Sequence, residues 1–348
     1  MSVELIEIAP GFSISKIIKG GWQLSSGHSQ STGVDPIEDM FSFADAGVTT
    51  FDCADIYTGV EELIGKFLAE RKKRCGSHED IQVLTKFVPD YDALPTLNKA
   101  YVGRIIDRSL RRLGVERLDM VQFSWWTYEV PGWVDAAGWL KELQQAGKIR
   151  LISGTNFNTE ATRQIVQAGV SLATMQVQYS AIDNRPEKGL TDLCAEHGIH
   201  LLCYGTVAGG FLSEQWLGEA EPLPPFDNRS QVKYRLMIDE FGSWMLFQEL
   251  LRMLKTIADK HHTTLTNVAT RFILQRPQVG AAIIGARTAV HLKENLGVFN
   301  FSLDEEDVDE IRGVIARRRG PTGDVFDLER DKEGPHGSIM RYNLNSAD

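Results

Sequence analysis

Asp52 and Tyr57 stand five residues apart in the segment FDCADIY, and Lys86 lies near the end of a second apolar run, VLTKF. A carboxylate, a phenol and an ammonium are the parts of a proton-transfer set. The ammonium beside a phenol lowers its pKa, and the carboxylate holds the ammonium in place. In such a set Tyr57 is the proton donor. Ser124 closes a third apolar run, VQFS; its hydroxyl can donate one hydrogen bond to a carbonyl oxygen but cannot carry charge. Taken singly, Asp52 and Lys86 read as a structural ion pair and Tyr57 as a rim aromatic. Their joint placement, each at or just after a short apolar run, argues for chemistry.

The elements that must position them are legible from punctuation. Gly47 precedes TTFDC, Gly114 precedes LDMVQF, Gly147 precedes IRLISG, Gly169 precedes LATMQV and Gly198 precedes HLLCYG. A glycine suits the left-handed position just past a helix end, and each of these is followed by a strand-like run. Between them lie amphipathic stretches: Tyr101, Ile105, Ile106, Leu110 and Leu113 share one helical face, with Arg104, Asp107, Arg108 and Arg111 elsewhere. Strand-like runs at 17–20, 49–53, 82–86, 118–123, 150–154, 174–178, 201–204 and 281–284 are nearly continuously apolar, as parallel strands covered by helices must be. Eight βα units predict an α/β fold of the (β/α)8 TIM-barrel class, with LIEIAPGFSIS as a hairpin before it. The competing open sheet lacks a GxGxxG after its first strand. One domain is expected over 1–348, with its core at about 17–300 and a C-terminal helix and tail over 301–348. The Pro-rich stretch 221–229 and the charged tail from 317 are expected as loops over one end of the barrel.

In such a barrel the chemistry sits at the carboxyl ends of the strands. The polar and aromatic residues there are Asp52, Tyr57, Lys86, Ser124, Thr155, Asn156, Gln176, Gln178 and Tyr204. Trp22, Trp125 and Trp126 either wall a substrate pocket or belong to the core near the rim. The His261–His262 pair reads as solvated, because neighbouring residues point apart and no further ligand cluster accompanies them, so no metal site is expected.

The segment FDCADIYTGVEELIGKFL resembles the signature of the aldo-keto reductases, in which Asp and Tyr precede a Gly-bearing helix. LTKF is similar to that family's lysine strand, GTNF to its Ser-Asn segment, MQVQYS to its glutamine strand, LLCYG to its stacking tyrosine and IIGARTAVHLKENL to its adenosine-binding segment. The match runs from about Ile17 to Asn295. The resemblance implies hydride transfer between a nicotinamide and a carbonyl or alcohol, with Asp52, Tyr57 and Lys86 in three places of a catalytic tetrad. Ser124 stands where the family has histidine. By the same resemblance Asn156 and Gln176 hold the nicotinamide carboxamide and Tyr204 stacks on its ring. Gly21, Trp22, Asp52, Thr155, Gly205 and Gly285 lie along the cofactor, Glu294 and Asn295 meet the adenine, and Arg287 and His291 meet a 2′-phosphate. NADP(H) is therefore favoured over NAD(H), although the family's lysine is absent at Gly285. Trp22, Tyr57, Trp125 and Trp126 would contact a small-molecule carbonyl or alcohol substrate. Three explanations of Ser124 stand open: a natural specialisation with water filling the gap, a deliberate substitution of a histidine that the parent protein holds, or loss of catalysis in a nucleotide-binding protein. The last makes the alternative function a nucleotide-binding regulator or sensor, as in potassium-channel β subunits.

The remaining classes recede on composition. A formal net charge of -10 opposes binding to nucleic acid. Apolar runs are too short for a membrane span, and the four cysteines show no CxxC spacing. The start of the chain has no basic leader with an apolar core, so a cytoplasmic protein is expected. No heptad or interface stripe assigns an oligomeric state.

Overall fold

The computed structural model describes residues 3–25, 33–226, 228–286 and 288–345. An antiparallel hairpin, β1 (Leu5–Ala9) and β2 (Phe12–Ser15), comes first. Its inward residues Ile8, Phe12 and Ile14 pack with Ile18, Leu84, Met120, Leu202 and Ile283 in one buried cluster. The hairpin therefore closes the amino-terminal end of the barrel.

Eight parallel strands form that closed barrel in the order β10-β3-β4-β5-β6-β7-β8-β9. They are β3 (Ile17–Gly20), β4 (Thr50–Asp52), β5 (Gln82–Phe87), β6 (Leu118–Phe123), β7 (Ile149–Thr155), β8 (Thr174–Gln178), β9 (His200–Tyr204) and β10 (Val279–Gly285). All eight expected runs are strands, displaced by at most two residues at an end. The closing seam pairs Ala282 with Ile17 and Gly285 with Gly20.

Helices α1 (Pro36–Asp45), α2 (Val60–Cys75), α3 (Lys99–Leu113), α4 (Trp133–Gln145), α5 (Thr159–Gln167) and α6 (Leu190–His197) alternate with the strands. Asp35 accepts from the Ile37 amide at the start of α1, with Pro36 at the first helical position, and Asn98 accepts from the Tyr101 amide at the start of α3. Gly114 ends α3 at φ 68°, as its place in the sequence requires. The buried face of α3 is Val102, Ile105, Ile106, Ser109 and Leu113, the stripe expected with small shifts.

Two regions differ from simple loops. Between β9 and β10 the described residues include three helices, α7 (Arg229–Phe241), α8 (Trp244–Lys260) and α9 (Leu265–Leu274). After β10 come α10 (Leu292–Asn295), α11 (Glu305–Ile315) and a four-residue helix α12 (Asp327–Arg330). The chain beyond α12 crosses the carboxyl ends of the strands, where Asn345 is buried: its side-chain nitrogen donates to the Asp55 carboxyl oxygen Oδ2 at 3.2 Å and to the Val88 carbonyl at 2.7 Å. Among the described residues no helix is long and apolar enough to cross a membrane.

Candidate active site

Asp52 is the last residue of β4 and Lys86 the next to last of β5, so adjacent parallel strands bring their side chains together. Lys86 Nζ lies 2.6 Å from Asp52 Oδ1 and donates to the Cys53 carbonyl at 2.9 Å. Both side chains are buried. Two more donors reach Asp52 Oδ1: Gln122 Nε2 at 2.8 Å and Gln176 Nε2 at 2.7 Å. Gln176 Nε2 also donates to Gln122 Oε1 at 2.8 Å. A buried carboxylate needs such partners, because desolvation otherwise drives it neutral.

Tyr57 sits in the turn between β4 and α2. Its ring centre is 5.4 Å from Lys86 Nζ and 5.0 Å from the Trp22 ring. The expected lowering of the Tyr57 pKa is not realised. Burial, followed by the charge of Asp52, pushes the phenol well above its ordinary range, and the ammonium beside it is already engaged by Asp52.

These residues open on a cavity of about 850 Å³ at the carboxyl ends of the strands, a size suited to a cofactor and a small substrate. Trp22, Asp52, Tyr57, Lys86, Ser124, Trp126, Thr155, Asn156, Gln176, Tyr204, Gly205, Gly285, His291, Glu294 and Asn295 all line it. Three of the expected site residues stand apart. Arg287 lies outside the described residues. Gly21 is not in the lining; a Cβ there would fall 2.6 Å from the Asp52 carbonyl oxygen, so the glycine permits the close approach of the β3 end to β4. Trp125 is turned away from the cavity, its indole nitrogen donating to the Val130 carbonyl at 2.9 Å and its ring packing on Phe123. The reason is strand alternation: Gln122, Ser124 and Trp126 continue one face of β6, and Trp125 takes the other.

Asn156 has a left-handed backbone, φ 61°, which asparagine tolerates better than most residues. Its side-chain oxygen accepts from the Tyr204 hydroxyl at 2.9 Å. Arg330 holds its carbonyl oxygen from α12, donating at 2.7 Å, and reaches the Tyr128 hydroxyl at 2.8 Å. The neighbouring Glu329 is fully buried: it lies 3.0 Å from Arg185 and 3.8 Å from Lys233, and Lys233 Nζ sits 4.9 Å from the Tyr204 ring centre. Burial would raise the Glu329 carboxyl, but Arg185 and Lys233 override it and bring it down to about 2.

The arrangement fits a nicotinamide. Among the described residues Asn156 Nδ2 and Gln176 Oε1 make no hydrogen bond, and both residues face the cavity. A free amide donor and a free amide acceptor are what a carboxamide requires. The Tyr204 ring and the glycine backbone at 205, 209, 210 and 285 lie in the same cavity.

Gln122 and the cluster of Arg229, Lys233, Tyr234 and tail residues around the cavity were not expected from the sequence. Gln122 carried a signal, a polar side chain two residues before Ser124 in an apolar run and hence on the same face. The others did not, because only the folded chain brings α7 and the tail to the mouth. Gln178, a polar strand-end residue, instead donates to Asp183 at 2.7 Å. Among the described residues no group of three or more His, Cys, Asp or Glu side chains could hold a metal ion.

The profile of the aldo/keto reductase family matches residues 16–316. An aldo-keto reductase of Schizosaccharomyces pombe, named for NADP(+), is 28% identical over 279 residues, covering 77% of this chain and 79% of its own. An NADH-specific methylglyoxal reductase of Escherichia coli is 22% identical over 316 residues, covering 86% of this chain and 94% of its own. In fold the chain resembles a glycerol dehydrogenase of Gluconobacter oxydans with a TM-score of 0.77 at 23% identity, over 93% of this chain and 98% of that one. The chain belongs to the aldo/keto reductase family and is an NAD(P)H-dependent oxidoreductase.

Proposed function

We propose that the protein reduces a small-molecule carbonyl, or oxidises the corresponding alcohol, with Tyr57 exchanging a proton with the substrate oxygen. The observation that carries this is the meeting of Tyr57, the Lys86–Asp52 pair and Ser124 in one cavity with the open amide atoms of Asn156 and Gln176. Nicotinamide, when bound, supplies or accepts the hydride. Asn156 and Gln176 hold its carboxamide, and Tyr204 offers a ring face. Lys86, fixed by Asp52, stands 5.4 Å from the phenol ring, where an ammonium favours the ionised form as the proton leaves. Ser124 offers one neutral hydrogen-bond donor where an imidazole would offer a stronger one.

NADPH is the proposed cofactor. His291 at the rim, Arg287 in the same segment and the NADP(+) named for the yeast relative support it. The Escherichia coli relative, specific for NADH, marks the opposite choice within the family. One experiment tests both parts: fluorescence titration with NADPH and NADH, beside cofactor oxidation across aldehydes, ketones and sugars. Tighter binding of NADPH and turnover of one carbonyl class are expected. Binding without any turnover would favour the second reading, a nucleotide-binding regulator, which the serine at position 124 supports. No binding of either nucleotide would remove both.

A further inference from the structure

The cavity wall changes character from its floor to its mouth. Tyr57 and Ser124 line the cavity just past the ends of β4 and β6. Val88, Trp126 and Met340 give an apolar side, and Arg229 from α7 and Arg341 from the tail also line the cavity. Several arginines of this acidic chain sit against carboxylates, among them Arg71 with Asp80, Arg74 with Glu38 and Arg317 with Glu249. Arg229 and Arg341 do not: among the described residues neither has a carboxylate within 4 Å. Among the described residues the Arg229 side chain makes one hydrogen bond, from its guanidinium to the Ile339 carbonyl at 2.7 Å, and the Arg341 side chain makes none.

The carboxylates that line the cavity are engaged elsewhere. Asp52 is held by Lys86, Glu214 accepts from the Leu265 amide at 2.6 Å, and Glu294 lies 3.7 Å from His291. The two guanidinium groups also feel each other: burial first, and then the charge of Arg341, lowers the pKa of Arg229. Like charges left together without a counter-charge at a cavity mouth, on a chain of net charge -10, mark a place that an anion would stabilise.

We propose that the substrate is a carboxylate-bearing carbonyl compound, its carbonyl at Tyr57 and its carboxylate at Arg341 and Arg229. The inference rests on the reading of this cavity as a carbonyl-reducing site and narrows its substrate class. An apolar segment between the two groups would run along Trp126 and Met340. Arginine suits this role because its planar fork meets a carboxylate with two parallel hydrogen bonds. The same chemistry would also serve a cofactor phosphate, so the test must separate the two.

The probes are 4-carboxybenzaldehyde and its methyl ester, identical around the carbonyl and different in charge. With NADPH in excess, the acid should exceed the ester about tenfold or more in kcat/KM, chiefly through KM, since a hydrogen bond to a charged group is worth about that factor. Added salt should erode the preference, because the mouth is open to solvent. Arg341→Gln should lose most of the preference and Arg341→Lys should keep part of it, while the Kd for NADPH changes less than about twofold. Equal kcat/KM for acid and ester in the unmodified protein would overturn the proposal. So would Arg341→Gln weakening NADPH instead of the acid, which would assign the guanidinium to the cofactor. Calorimetric titration of both compounds into the NADP+-saturated protein reads the same subsite without turnover. Tighter binding of the acid there supports the proposal even if neither compound is reduced, an outcome that would count against carbonyl reduction alone, and equal binding overturns it.

Discussion

Arg330, in the C-terminal tail, donates a 2.7 Å hydrogen bond to the main-chain oxygen of Asn156, a residue of the barrel mouth with a left-handed backbone. The same guanidinium lies 4.3 Å from the Tyr128 ring centre. A residue far along the chain thus holds the backbone on which the Asn156 side chain is carried, and through the Tyr204 hydroxyl the ring beside it.

Arg330→Met should therefore weaken NADPH binding by about tenfold or more, the scale of a lost hydrogen bond from a charged group. Arg330→Lys should lose less. Fluorescence titration checks this, with the melting temperature measured alongside. A variant that stays folded and binds NADPH as tightly as the parent would show that Asn156 holds its conformation without the tail.

Tyr57→Phe removes only the phenol oxygen and keeps the ring against Trp22. Loss of a general acid typically costs about 100- to 10,000-fold, so carbonyl reduction should fall by that order while NADPH affinity stays within about twofold. Steady-state rates beside a binding titration measure the two effects separately. Comparable turnover in the variant would assign the proton to another group.

Ser124→His places an imidazole at the end of β6, on the face of the strand that lines the cavity. A well-placed donor to a developing oxyanion is worth about a hundredfold or more, and turnover should rise by that order if the serine is a deficit. An unchanged or lower rate, with cofactor and substrate still bound, would mean that the serine serves its own chemistry.

Burial, reinforced by the neighbouring Glu61, pushes the Asp55 carboxyl up to about 8. An unfolded aspartate ionises at about 4. Between those values the folded chain keeps a proton that the unfolded chain releases. The stability this group contributes is complete below about pH 4 and is lost as pH rises towards about 8. Asp55→Asn retains an oxygen that can accept from the Val88 amide and Asn345, and it carries no charge to bury. Urea midpoints of the unmodified protein should fall more steeply between about pH 5 and 8 than those of Asp55→Asn. Parallel curves would place the ionised form of Asp55 in the fold.

The barrel was legible because its signals are local. A glycine past five of the helix ends, an apolar run of strand length and a striped helix are properties of neighbouring residues, and together they located all eight strands. The polar residues at strand ends followed from the same frame, and Asp52, Tyr57, Lys86, Ser124, Asn156, Gln176 and Tyr204 do share one cavity. Trp125 was misplaced for a reason also local: alternation along β6 separates it from Trp126, and treating the two tryptophans together ignored that period. The helices after β9 and the packing of α12 and Asn345 on the carboxyl ends of the strands depend on contacts between distant segments. Nothing near Glu329 in the sequence shows that its partner is Arg185.

The seam between β10 and β3 joins the late part of the chain to its start. During synthesis β3 is made early and must wait, with one edge open, until nearly every other element exists. The barrel cannot close strand by strand on the ribosome, and its last strand pairing carries the largest loop-closure cost of the sheet. Until then the open edges of β3 and β9 can pair with another chain, so aggregation during refolding should depend on protein concentration far more than the stability of the closed barrel does.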